Sequence, residues 1–179
     1  MKIIPTKVEG VLEIRQIPKI DARGSFLKIW EFESWLNAGL PVRWSEVYVT
    51  KSKKNVLRGM HFQVPPADHE KTVTVLDGEI LDVALDIRRS SKTYGKYFSK
   101  ILSADSPVVI FLPKGLAHGF LVLSTSATVL YHTTSAYSPE KDGGIRWDTF
   151  HFPWPQINPI LSARDQSHPS FDCFQSPFL

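Results

Sequence analysis

The residue of this chain best placed to do chemistry is a histidine inside an apolar, strand-like run, Arg58-Gly59-Met60-His61-Phe62-Gln63-Val64-Pro65-Pro66. Successive side chains of a strand alternate faces, so His61 and Gln63 share a face with Gly59, while Val56, Arg58, Met60 and Phe62 take the other. An ionisable ring between a small residue and an amide reads as a ligand-facing group; taken alone, the strand also allows a hydrogen-bonded core histidine. Chemical groups concentrate in three further segments. Arg23 lies in Asp21-Ala22-Arg23-Gly24, Pro113-Lys114-Gly115-Leu116-Ala117-His118 turns the chain and delivers a second histidine onto a strand, and Tyr131 lies in a third run. Asp165 adds a carboxylate after the apolar Pro159-Ile160-Leu161. Each of these also has a purely structural reading. Tyr131 fits a packed core tyrosine, and Asp165, following Ser162, suits the first turn of a short helix. Lys71 fits a solvated lysine, and Asp82 and Asp86 fit partners of Arg88 or of nearby backbone.

The elements that must position these groups are short. Apolar or alternating runs at Val11–Ile17, Ser25–Trp30, Trp44–Thr50, Val56–Phe62, Lys71–Leu76, Ile80–Ile87, Tyr97–Leu102, Val108–Leu112, His118–Leu123 and Thr128–Thr134 are separated by turn residues. That spacing predicts an all-β sandwich or barrel. Asp77-Gly78 between two runs predicts a two-residue hairpin. Helical signal is confined to Phe32–Asn37 and Leu161–Asp165. Residues 166–179, with Pro169, Pro177 and three phenylalanines, form an irregular tail that packs or frays.

Composition excludes several classes. One domain spanning residues 1–179 is expected at this length, large enough for a real core. A 42% hydrophobic and 22% charged content is ordinary for a soluble globular protein. No apolar run approaches the ~20 residues of a membrane span, and the N-terminus lacks a signal-peptide core. The single Cys173 excludes an intrachain disulfide framework and cannot alone build a thiolate metal site. These features favour the cytoplasm. The net charge of +3, with basic clusters at Lys51–Lys54 and Arg88-Arg89, carries no nucleic-acid-reading motif.

The pattern Pro113-x-Gly115-x-x-His118 resembles the second motif of the cupin superfamily, a double-stranded β-helix or jelly roll. Metal-binding cupins pair it with a first motif of two histidines one residue apart and a downstream glutamate. Here that place reads His61-Phe62-Gln63, with His69-Glu70 following, and a neutral amide is a poor ligand for a borderline metal. No metal and no cofactor are therefore expected.

Further motifs occur in order: Arg58–Gln63, Lys71, Gly78-Glu79, Asp82–Arg88, Ser91-x-Thr93-x-Gly95, Leu116–Phe120, Tyr131-x-Thr133-Thr134, Gly144–Asp148, Trp154-Pro155 and Ile160-Leu161-Ser162-x-x-Asp165. From about Asp21 to Asp165 the chain resembles the dTDP-4-dehydrorhamnose 3,5-epimerase family of cofactor-free cupins. The resemblance implies a jelly roll with short peripheral helices, and an isomerase that inverts C3 and C5 of a nucleotide-linked 4-keto-6-deoxy sugar through an enolate. It implies His61 as base, Asp165 as the carboxylate orienting it, Asp82 in the same network, Tyr131 as proton donor and Lys71 at the ketone oxygen. For substrate binding it implies Arg23 and Arg58 at the diphosphate, Tyr137 near the base, His118 lining the sugar pocket, and Phe26 and Phe120 as walls.

Glu46, Tyr48 and Thr50 replace a glutamine, an asparagine and a serine of rhamnose-pathway members, and Lys28 replaces a glutamate. These positions, with Gln63, border the substrate site, so the chain leaves open a single-centre epimerase, a CDP-linked substrate or a ketoisomerase. Alternatives of another class are a metal-dependent oxygenase using His61, Gln63, Glu70 and His118, and a sugar-nucleotide-binding cupin without catalysis. The family resemblance also implies a homodimer in which strands of residues 1–30 cross to the neighbour, covering exposed sheet edges.

Overall fold

Short β-branched and aromatic runs punctuated by glycine and proline fold as thirteen strands among the described residues, 1–156 and 158–179 of this computed structural model. In chain order they are β1 Lys2–Pro5, β2 Leu12–Arg15, β3 Lys19–Asp21, β4 Gly24–Phe26, β5 Glu46–Lys53, β6 Leu57–Gln63, β7 Lys71–Asp77, β8 Glu79–Asp86, β9 Tyr97–Ser103, β10 Val109–Leu112, β11 Leu116–Val122, β12 Ser126–Thr133 and β13 Asp142–Gly144. Two short helices, α1 Phe32–Asn37 and α2 Ala163–Ser167, lie outside the sheets. The strands pair antiparallel into a six-stranded sheet, β1-β2-β10-β7-β12-β5, and a five-stranded sheet, β13-β6-β11-β8-β9. β3 and β4 form a separate hairpin. This is the jelly roll expected from the sequence.

Alternation along each strand sorts side chains into a layer between the sheets and two outer layers. Val73, Val75, Ile110, Ala127, Val129 and Tyr131 of the first sheet meet Ile80, Ala84, Phe98, Leu102, Phe120 and Val122 of the second. The outer face of the five-stranded sheet, carrying Leu57, Met60, Phe62, Val83 and Leu85, is covered by Phe150, Trp154, Phe174 and Phe178. The tail therefore packs rather than frays: Phe178 is buried, its carbonyl accepts from Arg89 N at 3.0 Å, and the Ser176 hydroxyl donates to the Ile87 carbonyl. On the other flank, α1 buries Trp35 against Ile14, Val109 and Phe111. Truncating a fully buried tryptophan of this kind costs about 3–5 kcal/mol.

Three expectations are corrected here. Asp77-Gly78 does not close a hairpin: β7 pairs with β10 and β12, whereas β8 pairs with β11 and β9, so the chain passes from one sheet to the other at this corner. Gly78 is required there, with φ +77° and space so tight that a Cβ would lie 2.1 Å from the Ser126 carbonyl oxygen. Local turn chemistry marks the corner but not which partner each strand will take. The second helix begins later than Leu161, because Ser162 caps it by accepting from Asp165 N at 3.1 Å. The Ser25–Trp30 run forms a strand only to Phe26. No helix among the described residues is long and apolar enough to cross a membrane.

Candidate active site

The positions singled out in the sequence converge because inward faces of strands from both sheets meet at one end of the roll. β5 turns Glu46 and Tyr48 inward, β7 Lys71, and β12 Tyr131, with Tyr131 directly opposite Tyr48 and Thr133 opposite Lys71. From the facing sheet come Arg58 and His61 of β6, Asp82 of β8, and His118 and Phe120 of β11.

Arg58 and His61 were expected on opposite faces, and a bulge puts them on the same one. His61 pairs with His118 and Arg58 with Phe120, so Gly59 and Met60 together oppose the single Gly119. Met60 turns outward to pack with Leu57 and Phe62. Gly59 adopts φ +138°, and a Cβ there would lie 2.5 Å from the Gly119 Cα, so only glycine fits. Arg58 Nε donates to Ser52 Oγ at 2.9 Å, and among the described residues the remaining guanidinium donors have no partner.

His61 Nε2 and Asp165 Oδ1 are 2.6 Å apart. Burial disfavours the Asp165 charge, but hydrogen bonds from His61 and from the Ser162 cap hold the carboxyl below the usual carboxylate range. An ionised Asp165 accepts the Nε2 proton and leaves the Nδ1 lone pair as the basic atom of the ring. Burial holds the His61 pKa below the ordinary imidazole value, with Asp165 pulling the other way. The ring is thus neutral at neutral pH, and it borders an open cleft of 710 Å³.

A second pair lies alongside. His118 Nε2 and Asp82 Oδ1 are also 2.6 Å apart, and the other Asp82 oxygen is buried without a partner. Asp82 therefore holds His118 and does not join the His61 network as expected. Phe120 lies in the core, forming an inner wall.

On the facing sheet, Tyr131 is buried, and burial, Asp82 and Tyr48 push its pKa well above the ordinary phenol value. Tyr48 stacks flat on it, ring centroids 5.0 Å apart at 18°. His118 meets Tyr131 edge-on, with ring centroids 6.2 Å apart at 70°. Lys71 is buried rather than solvated; burial lowers its pKa to about 8, with Asp82 and Asp142 supporting the charge. A buried, protonated phenol and a cation that loses its proton within the accessible range are groups suited to proton donation and oxyanion stabilisation.

The cleft is lined by Glu46, Tyr48, His61, Gln63, Lys71 and Tyr137, all anticipated except as to Gln63's part. The Gln63 amide nitrogen is engaged by the carbonyls of Ala67 and Ala136 and by His69, and its oxygen accepts from Ser138 N at 2.5 Å. It braces the loop instead of presenting free groups. Glu46 accepts from Tyr137 N at 3.1 Å, fixing the exposed Tyr137 ring at the rim. Asp142, Arg164 and His69 also line the cleft, and Arg164 pairs with Asp142 at 2.5 Å. Sequence reasoning missed these: Arg164 adjoins Asp165 in the motif already noted, whereas nothing local marks Asp142, on a strand of three residues. Arg23 and Phe26 are not brought to this cleft. They sit on the β3–β4 hairpin, Phe26 60% exposed and Arg23 bonded, among the described residues, only to Asp21.

The alternative ligand set of His61, Gln63, Glu70 and His118 is not assembled. Among the described residues, the one group of histidine and carboxylate atoms close enough to share an ion is His61, Asp165 and His168.

Residues 5–172 match the family model described as dTDP-4-dehydrorhamnose 3,5-epimerase. The chain is 41% identical over 172 residues to the dTDP-4-dehydrorhamnose 3,5-epimerase of Escherichia coli K12, covering 93% of this chain and 92% of that protein. It is 34% identical over 169 residues to a dTDP-4-dehydrorhamnose 3-epimerase of Streptomyces niveus, covering 93% and 82%. The crystal structure of the dTDP-6-deoxy-D-glucose-3,5-epimerase of Legionella pneumophila in complex with dTDP-4-keto-L-rhamnose superposes with a TM-score of 0.92 at 32% identity, covering 97% of this chain and 94% of that one.

Proposed function

The chain belongs to the dTDP-4-dehydrorhamnose 3,5-epimerase family, and on that premise we propose that it inverts C3 and C5 of a dTDP-linked 4-keto-6-deoxy sugar. The observation that carries this reading is the His61–Asp165 pair at 2.6 Å, its histidine bordering the cleft from one sheet, with Tyr131 and Lys71 on the sheet opposite. Protons on the carbons flanking a ketone are acidic, and inversion needs a base on one side of the ring and an acid on the other. His61 Nδ1 takes the proton, and Asp165 stabilises the imidazolium. The Lys71 ammonium stabilises the enolate oxygen, and Tyr131 returns a proton to the opposite face. The phenolate and imidazolium then re-equilibrate through water in the open cleft, and the cycle repeats at the second carbon. Arg58 holds the diphosphate and Tyr137 stacks at the nucleobase.

The test is incubation with dTDP-4-keto-6-deoxyglucose in deuterated water. Deuterium at both C3 and C5 is expected, and its absence from both would overturn the reading. Stacking of Tyr48 on Tyr131, together with the likeness to a 3-epimerase, favours one second reading, a single-centre epimerase, which exchange at one carbon would establish.

The family reading also carries a homodimer. Ile17, Ile20 and Phe26 around the β3–β4 hairpin are 90%, 78% and 60% exposed, and the edge strand β5 exposes Val47 and Val49. Pairing these apolar surfaces between two copies brings Arg23 and Phe26 to a neighbouring cleft. A sedimentation mass of one chain at micromolar concentration would overturn it.

A further inference from the structure

A histidine that the epimerase reaction leaves unused sits against the catalytic pair. His168 follows α2, and its ring lies 5.6 Å from that of His61 at 72°. It fills the space left by Gly144, the cross-strand partner of His61, where a Cβ would clash with the His168 ring. His168 Nε2 is buried without a hydrogen-bond partner, and Asp165 Oδ1 is 3.8 Å away. His61 Nε2, Asp165 Oδ1 and His168 Nε2 all lie within 4.8 Å of one another.

We propose that these three atoms form a binding site for a divalent transition-metal ion of the zinc type, and that its occupancy silences the proton-transfer chemistry. The silencing rests on the epimerase reading above; the site itself does not. Two imidazoles and a carboxylate suit zinc and leave a fourth position for water. Tetrahedral bonds of about 2.0–2.1 Å put ligand atoms roughly 3.3 Å apart, so the 2.6 Å pair must open and the 3.8 Å pair close by rotation of side chains. His61 borders the open cleft, which gives the ion an entry path. The proton count explains the inhibition. A neutral imidazole carries one proton, held on Nε2 while Asp165 accepts it. A metal on Nε2 moves that proton to Nδ1, the atom that otherwise accepts the proton of the sugar. No proton is gained or lost by the ring, yet the base is gone.

The experiment titrates metal-stripped protein with zinc chloride by calorimetry and with cobalt(II) by visible absorbance. One ion per chain is expected, with the intense visible bands of four- or five-coordinate cobalt. His168→Ala and the space-filling His168→Gln should each weaken zinc binding by more than about 10-fold, the least that even outer-shell partners contribute. His61→Asn should weaken it likewise. Zinc should inhibit deuterium exchange reversibly, with relief by chelator. The inhibition constant, measured against each variant's own zinc-free rate, should rise in the His168 variants by the same factor as the dissociation constant. Unchanged zinc affinity in both His168 variants, or no stoichiometric binding by the wild type, would overturn the site. No exchange by the metal-free wild type would overturn the epimerase reading instead, and the titrations would still decide the metal site.

Discussion

Two histidine–aspartate pairs stand on neighbouring strands, built to the same 2.6 Å measure, and His61 and His118 are direct cross-strand partners. What separates them is solvent. The side chains of His61 and Asp165 are 28% and 4% exposed, those of His118 and Asp82 5% and 0%. The carboxylates also arrive differently. Asp165 comes from a capped helix after the barrel is complete, whereas Asp82 is fixed in the adjacent strand β8. An imidazole–carboxylate pair is thus not a function in itself. Bordering a cleft it can take a proton and give it up again; sealed between strands it is a polar strut that fixes the wall beside the tyrosine.

That contrast can be broken by experiment. The largest effect is expected for His61→Ala, which should lower deuterium exchange by about 10³–10⁴-fold, the upper range for a general base. An equal loss in His118→Asn at undiminished stability would erase the distinction between the pairs. Asp165→Asn should lower the exchange rate by about 10²-fold, the lower range for general acid–base catalysis, since the ring survives but its tautomer and charge are no longer held. His118→Asn should be felt first in thermal melting. It leaves the Asp82 carboxylate buried without its donor, at a cost of about 3 kcal/mol, or roughly 6–12 °C in a chain of this size. His61→Ala, at the solvent border, should move the melting temperature by much less.

The pH profile sharpens the comparison with the smallest changes. His61 must be neutral to act, and its folded pKa is depressed, so exchange should fall only as pH drops below the ordinary imidazole value of about 6.5. Asp165 raises that pKa, so Asp165→Asn should displace the acid limb further down. On the alkaline side, Lys71 loses its charge near pH 8, and exchange should decline through that pH. A Lys71→Met variant should lose the alkaline limb while keeping the acid one.

The strands and the residues that gather around the cleft were legible because β-runs and turn residues are local signals, and because His61, Lys71, Tyr131 and Asp165 fall in ordered motifs. Helix α1 was read to its boundaries, since Phe32, Trp35 and Leu36 fall at the i, i+3, i+4 spacing of one helix face. The rest depended on pairing between distant segments. Nothing near Asp77-Gly78 states that the next strand joins another sheet. Lys71 reads as solvated until Thr133 and the facing sheet close over it. Asp142 and His168 owe their place to chain crossings 81 and 107 residues from His61, separations no periodicity encodes.

The extra residue at Gly59-Met60 has a consequence for anyone who transplants or aligns this strand. Period-two bookkeeping makes the parity of a β-segment a conserved quantity, and here it is reset midway. Removing either residue would bring Arg58 and His61 two positions apart, a spacing that ordinary alternation also keeps on one face, so the bulge would go while both side chains stayed inward. A gap of one placed here therefore does not shorten a loop. It removes the bulge and restores a regular ladder, with the faces of the flanking arginine and histidine unchanged.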